Sequence, residues 1–396
     1  MANEMDEREP KGTERKGAEI VVVGAGFVGL SFALAAHARG FRVQVYDQKS
    51  APKLKMREGE ENEALAGPAL SPNVIALNPT SVALLQSLSV FARLHANHAV
   101  PYQAMEVFDG EGTGSVRFTA IDAQLPSLGH IVDQQGLLVA LNEQAIDVGL
   151  PVHWQTEASF DDDVPLVVGA DGAHSQTREK LGLRKVQYSY KQRATVCVVK
   201  TSRAHNGCAK QWFQASGPLA ALPLSEPNTY ALTWSDYTDL ATLTDDEFLA
   251  QLSESSEDAL GQILILGERR SFPLQQMQAL QYVAAGVVLL GDAAHAIHPL
   301  AGQGANLGLA DVAALIRELS AARLEGHDLG DLKTLRRYEW ARRSENHMAA
   351  LLMEGFHRMF TADNGVARLI RGQGMKFVQG NKSLKQLAIS VASGRV

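Results

Sequence analysis

The sequence predicts an α/β fold: a Rossmann-like domain on a parallel sheet, a second domain on a mixed β-sheet, and a helical C-terminus. Three observations carry that prediction. Residues 19–47 run strand, glycine-rich turn, helix, strand, acid. Two later apolar runs also end in a glycine–acid pair, at 169–172 and at 291–292. From about 186 to 275 the pattern becomes alternating strands, which fits an antiparallel sheet rather than βαβ units.

In chain order, residues 1–17 are charged, lack the apolar core of a secretory signal, and predict a disordered tail. EIVVVG (19–24) is a β-branched run of the kind buried in parallel sheets. Leu30 to Arg39 predicts a helix stopped by Gly40, and FRVQVYD (41–47) a second strand. Residues 51–72 predict a loop and Pro79 to Leu94 a helix; MEVFD (105–109) and SVRF (115–118) predict a hairpin. Gln134 to Val148 has helical periodicity. The alternating region supplies TVCVV, KQWFQ, LAALPL and YALTW, interrupted by a helix near 245–260. VVLLGD (287–292) returns to parallel character, and 305–325 and 331–360 predict long helices. The domains expected are 18–100, 129–182 and 280–330 for the Rossmann-like unit, 101–128 and 183–279 for the sheet domain, and 331–396 for the helical region.

Composition narrows the function classes. With 396 residues, 45% hydrophobic and 20% charged, the chain is globular with ample core. Its formal net charge of −7 gives no basic field for nucleic acid. Two cysteines, Cys197 and Cys208, cannot build a disulfide framework, which fits a cytoplasmic home. Neither of the two long uncharged stretches, 20–38 and 271–291, has the roughly 20 mostly apolar residues of a membrane span. Arg336, Arg337, Arg342 and Arg343 form a basic run on a predicted helix, read as a solvated face. His295 and His298 lack a third ligand nearby, so no metal is expected.

The motifs point to one extended ligand. In Gly24-Ala25-Gly26-Phe27-Val28-Gly29, Gly24 permits the turn, Gly26 admits a pyrophosphate, and Gly29 lets helix and strand pack closely. The helix start offers free N–H groups to phosphate, and Asp47 is placed to accept from a ribose hydroxyl. Gly169-Ala170-Asp171-Gly172 and Gly291-Asp292 put acids at carboxyl ends of strands, where α/β proteins bind ligands. A second glycine-rich helix start follows at Gly302-Gln303-Gly304-Ala305-Asn306. Three such units with a single ribose fingerprint fit FAD better than NAD.

GDAAHAIHPLAGQGANLGLAD (291–311), MEVFD, LGHIVDQ (from 128), LPLSEP (from 222) and LRRYEWAR (from 335) resemble the FAD-dependent aromatic hydroxylases of the para-hydroxybenzoate hydroxylase type, and within them the ubiquinone-biosynthesis subgroup. The resemblance covers nearly all of the chain after residue 18. It implies ring hydroxylation of a polyprenylated phenol or quinone precursor with O2 and NAD(P)H. It further implies that Gly24, Gly26 and Gly29 hold the pyrophosphate, Asp47 the adenosine ribose, and Asp292 the ribityl chain. Gln134 would lie near the phosphates, and Asp171 would serve FAD and the visiting NAD(P)H. Gly291 belongs to the Asp292 motif, while Pro299, Gly302, Gln303, Gly304, Ala305 and Asn306 would line the flavin ring. No fixed catalytic base is implied. Two positions depart from the family pattern: Asn73 stands where an arginine is usual, and residues 150–165 leave a short meander. A small soluble aromatic as substrate, or a non-catalytic member of a biosynthetic complex, are the alternatives. The mixed basic and apolar pattern from Arg336 to Lys385 fits a core-packing helix or, as the alternative, membrane or partner contact peripheral to the inner face of a membrane rather than chemistry.

Overall fold

The computed structural model describes residues 17–54, 71–110, 112, 114–158, 164–296, 303–361 and 365–394. Residues 1–16 of the predicted tail, together with His298, Pro299 and Gly302, lie outside the described residues.

The first sheet has the order 283–284, 287–289, 166–169, 20–23, 43–47, 152–154. Strand Ile20–Val23 pairs in parallel with Val43–Asp47 on one side and Leu166–Gly169 on the other, and Leu166–Gly169 pairs in parallel with Val287–Leu289. In this register Val23 stands opposite Tyr46 and Gly169, and Leu289 opposite Gly169. The three glycine–acid turns, separated by more than a hundred residues in the chain, thus leave the same edge of one sheet. Helices Phe27–His37 and Gln303–Leu324 pack together in the main core. A small antiparallel sheet joins Val74–Leu77, Gly129–Asp133 and Ala99–Tyr102.

The nine-stranded sheet is mixed. Its order is 295–296, 270–279, 185–201, 229–236, 217–223, 208–214, 104–109, 115–119, with Ile263–Leu266 pairing at the side. The predicted hairpin at 105–118 is its edge, and it joins Cys208–Gln214 in parallel. The sequence suggested short strands throughout, yet Lys185–Thr201 is one strand of 17 residues. Its register against Arg270–Ala279 shifts between Ser189 and Arg193, where Lys191 takes φ +56°. The bulge lets one long strand follow the sheet's twist without breaking the ladder.

Alternation splits this sheet into two unlike faces. Cys197, Val199, Trp212, Leu219, Leu232 and Trp234 pack with Phe248 and Leu252 of helix Asp245–Ser255. That helix starts with a capping box between Thr244 and Glu247. The opposite face carries Val196, Ala209, Ala220 and Thr233, which line a cavity.

The long helix Leu332–Thr361 buries Leu335, Tyr338, Arg342 and Asn346. The spacing of these four is helical, and the stripe is half polar. Arg342 is 3% exposed, which corrects the reading of the arginine run as wholly solvated. Its Nε donates to Asp311 Oδ1 at 2.7 Å, and its Nη2 to Asn346 Oδ1 at 3.0 Å. Asp311, with 0% exposure, also accepts from the backbone N–H of Gly291 at 3.0 Å and pairs with His295 Nε2 at 2.6 Å. Burial alone would raise the Asp311 carboxyl pKa; His295 and Arg342 outweigh it and hold the group below the usual carboxylate range.

Removing the guanidinium leaves a buried carboxylate short of charge, so Arg342→Met is expected to cost about 3–5 kcal/mol. The exposed neighbour Arg336, changed to Met, is expected to stay within about 0.5 kcal/mol. Urea unfolding of both variants checks this. Because the folded Asp311 pKa is depressed, its contribution is present above the unfolded carboxylate pKa and is lost as pH falls through the folded value.

Candidate active site

The first turn has the geometry a dinucleotide needs. Gly24 sits at φ +102°, and a Cβ there would lie 2.4 Å from the Ala170 carbonyl oxygen. A Cβ on Gly29 would lie 2.0 Å from the Gly24 oxygen, so that glycine is required for helix–strand packing. Gly26 is different: its Cβ position meets nothing within 4 Å. It is the N-cap of helix Phe27–His37, and no side chain caps that end. The helix therefore presents free N–H groups and its positive end to open space, the arrangement that binds phosphate. Asp47 closes the turn, with Oδ2 accepting from Ala25 N at 2.7 Å and Oδ1 from Lys49 N at 2.8 Å. Each oxygen keeps a lone pair for a ribose hydroxyl.

The other two turns converge on it. Asp171 Oδ2 accepts from the Thr177 N–H at 2.9 Å and hydroxyl at 3.0 Å, while Oδ1 is buried without a partner. Arg178, fully buried, donates to the carbonyls of Ala173 at 2.9 Å and Ala293 at 2.8 Å. It ties the Asp171 loop to the Asp292 loop, and burial lowers its pKa. Gly291 takes φ +56°, a left-handed turn that points the chain from strand Val287–Leu289 into the 3-10 turn at Gly291–Ala293. Asp292 is exposed and lines the cavity between these loops and the mixed sheet. The surrounding protein raises its pKa by desolvation, with His295 opposing and Asp311 adding to the rise.

A cavity of about 490 Å³ lies between these loops and the small-residue face of the mixed sheet. Phe27, Gln134, Asp292, Gly304, Ala305 and Asn306 line the loop side. A Cβ on Gly304 would meet nothing within 4 Å, so the first turn of helix Gln303–Leu324 can approach a ligand closely. Gln134 starts helix Gln134–Asp147; its N–H donates to the Asn73 carbonyl at 3.1 Å, and Asn73 lines the same cavity. The cap of that helix, Asp133, accepts from Gln135 and Gly136 and pairs with His98 at 2.9 Å.

Asn306 also serves the protein: its side chain accepts from Asn78 N at 2.9 Å and Ser81 Oγ at 2.8 Å and donates to the Ala76 carbonyl at 2.8 Å. It fastens the helix start to strand Val74–Leu77 and the turn that follows it. The C-terminal region is not confined to outside contacts. Ala388, Ile389, Ala392 and Ser393, at and just beyond the end of helix Lys382–Ala392, line the cavity. Lys385 pairs with Asp122 at 3.6 Å, and Thr80 donates to the Ser393 carbonyl at 2.8 Å, holding that wall in place. An apolar helix face that reads as a membrane surface reads equally as a cavity wall, and only the fold separates the two.

Sequence reading missed Asp311, Arg178 and the pairing of Arg342. A signal for the first was present: a lone acid inside an apolar helix, ANLGLADVAALI, has to find a buried partner. Among the described residues no group of three or more His, Cys, Asp and Glu side chains could hold a metal.

Residues 163–350 match the FAD binding domain family, and 22–68 match the NAD(P)-binding Rossmann-like domain family. A 3-demethoxyubiquinol 3-hydroxylase of Escherichia coli is 32% identical over 95% of this chain and 98% of its own. A ubiquinone hydroxylase of Rhodospirillum rubrum is 32% identical over 97% of this chain and 91% of its own. The chain belongs to the FAD-dependent ubiquinone-biosynthesis hydroxylases. A mitochondrial ubiquinone biosynthesis monooxygenase of Homo sapiens is 27% identical over 95% of this chain and 92% of its own. The fold is shared with p-nitrophenol 4-monooxygenase of Pseudomonas putida, at TM-score 0.74 and 19% identity over 96% of this chain and 98% of that one. The open Gly26 and Gly304 positions, the uncapped helix and the orphaned Asp171 oxygen all fit the FAD of this family.

Asp292→Ala removes a hydrogen-bond acceptor from the cavity lining. FAD affinity is expected to fall about 10- to 100-fold, read by fluorescence titration of the apoprotein. Gly304→Val puts a branched side chain into the open space beside the first turn of helix Gln303–Leu324, and is expected to give folded protein with lost flavin or slowed reduction by NAD(P)H.

Proposed function

We propose that the protein hydroxylates the aromatic ring of a polyprenylated phenol or quinone precursor in ubiquinone biosynthesis, using O2 and NAD(P)H. The observation that carries this reading is the cavity: one wall is formed by the loops that fit FAD, and the rest of the lining is mainly apolar. Bound FAD supplies the redox chemistry, taking electrons from NAD(P)H and activating O2.

The chain's residues supply the setting. In the first turn of the helix that begins at Gln303, N–H groups lack intrahelical partners, and they offer positive potential where reduced flavin accumulates charge. Met105, Phe118, Leu128, Ile131, Leu222 and Phe272 line the cavity and exclude water, which limits loss of oxygen as hydrogen peroxide. Tyr102 also lines it, and burial pushes its hydroxyl pKa up to about 12, so it stays protonated.

Asp47, Gln134, Asp171 and Asp292 are the residues assigned to FAD in this reading, with Asp171 also meeting NAD(P)H. Contact with a membrane surface and with other proteins of the same biosynthetic route belongs to the same proposal. The exposed Trp340, Met348 and Leu351, on the helix that also exposes Arg336 and Arg337, support it. No helix among the described residues is long and apolar enough to cross a membrane.

The test compares phenols with and without a prenyl chain. Each buried CH2 contributes about 0.8 kcal/mol, so even a short buried tail segment dominates binding. The prenylated phenol is expected to give coupled hydroxylation, and the tailless one weaker binding and more peroxide. Efficient coupling on the tailless phenol, with no gain from the chain, favours a soluble aromatic substrate instead.

A further inference from the structure

The cavity-facing side of the mixed sheet is nearly bare of polar groups. Strand pairing places Gln211 beside Ala220, Ala220 beside Thr233, and Thr233 beside Val196, so these four form one row across four strands. All four line the cavity. The bulky neighbours Trp212, Leu219, Trp234 and Cys197 face the other way, into the helix-covered core. Within the row the polar side chains are Gln211 and Thr233.

Gln211 is 2% exposed, and its side-chain amide, to which no hydrogen bond from another described residue is made, is left to the cavity it lines. Of the other polar side chains on the cavity lining, three are occupied: Lys210 pairs with Glu106, Asn78 caps its helix and reaches the Ala392 carbonyl, and Asn306 is held by Asn78, Ser81 and Ala76. An enclosed amide carries two donors and an acceptor, and leaving them unmet is costly. Such a group persists where a ligand meets it.

We propose that Gln211 binds an oxygen substituent of the substrate ring and thereby sets which ring carbon faces the flavin. The proposal rests on the substrate reading above and deepens it. The sheet row and the loops that carry Asp292 and Gly304 line the same cavity, so a ring held there can meet the Gln211 amide while its tail lies among apolar side chains. The amide is chemically suited to either a hydroxyl or an ether oxygen, because it donates to both. A carboxylate or an arginine in this place would select a charged substrate; an uncharged amide selects a neutral one.

The test uses the FAD-loaded protein without NAD(P)H, following the change in flavin absorbance as ligand is added. The probes are a prenylated phenol and its analogue with hydrogen in place of the hydroxyl. Gln211→Met keeps length and removes the amide. It is expected to bind the phenol about tenfold more weakly and the deoxy analogue unchanged. During turnover it should release more peroxide and give a mixture of ring isomers. Equal weakening toward both probes, or none, overturns the proposal. Gln211→Asn, which retains a shortened amide, guards against misfolding of the Met variant: the wild-type preference for phenol over deoxy analogue is expected to narrow, and an unchanged preference overturns the assignment. If wild type binds neither prenylated probe, the substrate reading itself falls; if wild type binds and hydroxylates the phenol while the variants behave identically to it, only the role of Gln211 falls.

Discussion

The arrangement of the site depends on one buried carboxylate. Asp311 has no solvent exposure, and it gathers the Gly291 N–H, the His295 ring and the Arg342 guanidinium. A charge in that position persists only when it is paired and fully hydrogen-bonded. The consequence is geometric. Gly291 opens the loop that carries Asp292, His295 begins the short strand that enters the mixed sheet, and Arg342 comes from the long C-terminal helix. One side chain thereby fixes a parallel sheet, a mixed sheet and a helix against each other at the place where the cofactor loops meet. Arg178 does the same on the neighbouring loop with two carbonyl contacts instead of a carboxylate.

The mixed sheet adds the second constraint. Because side chains alternate along a strand, each strand must satisfy two environments at once. Large aromatics on one face fill the space under helix Asp245–Ser255, and Ala209, Ala220, Thr233 and Val196 on the other leave room for a ligand. Hydroxylation by a flavin needs that combination: a firm wall that holds the ring, and a dry space large enough for ring and tail. The last helix completes the enclosure with Ala388 and Ala392, again small residues.

Much of this was legible in the sequence because it is local. A glycine at φ +102° followed by one that must touch its own strand writes itself as GxGxxG, and Asp47 at the end of the next strand completes the unit. The same holds for the Asp171 and Asp292 turns. The parallel order of the strands, and so the meeting of the three turns, follows from the βαβ pattern. Contacts between elements distant in the chain were not legible. Arg342 looked like one of four solvated arginines, because helical spacing shows which residues share a face but not what that face meets. Gln211 sat unnoticed in KQWFQ, since alternation identifies two faces without telling which covers a core and which covers a cavity.

Oxygen-isotope accounting tests the central claim most directly. The FAD-loaded protein would be given a prenylated phenol, NAD(P)H and 18O2, and the product examined by mass. The account predicts a ring carrying one new hydroxyl with labelled oxygen, formed in step with the NAD(P)H that does not end as peroxide. Oxygen drawn from water, or NAD(P)H consumed with peroxide as the sole product, would contradict it.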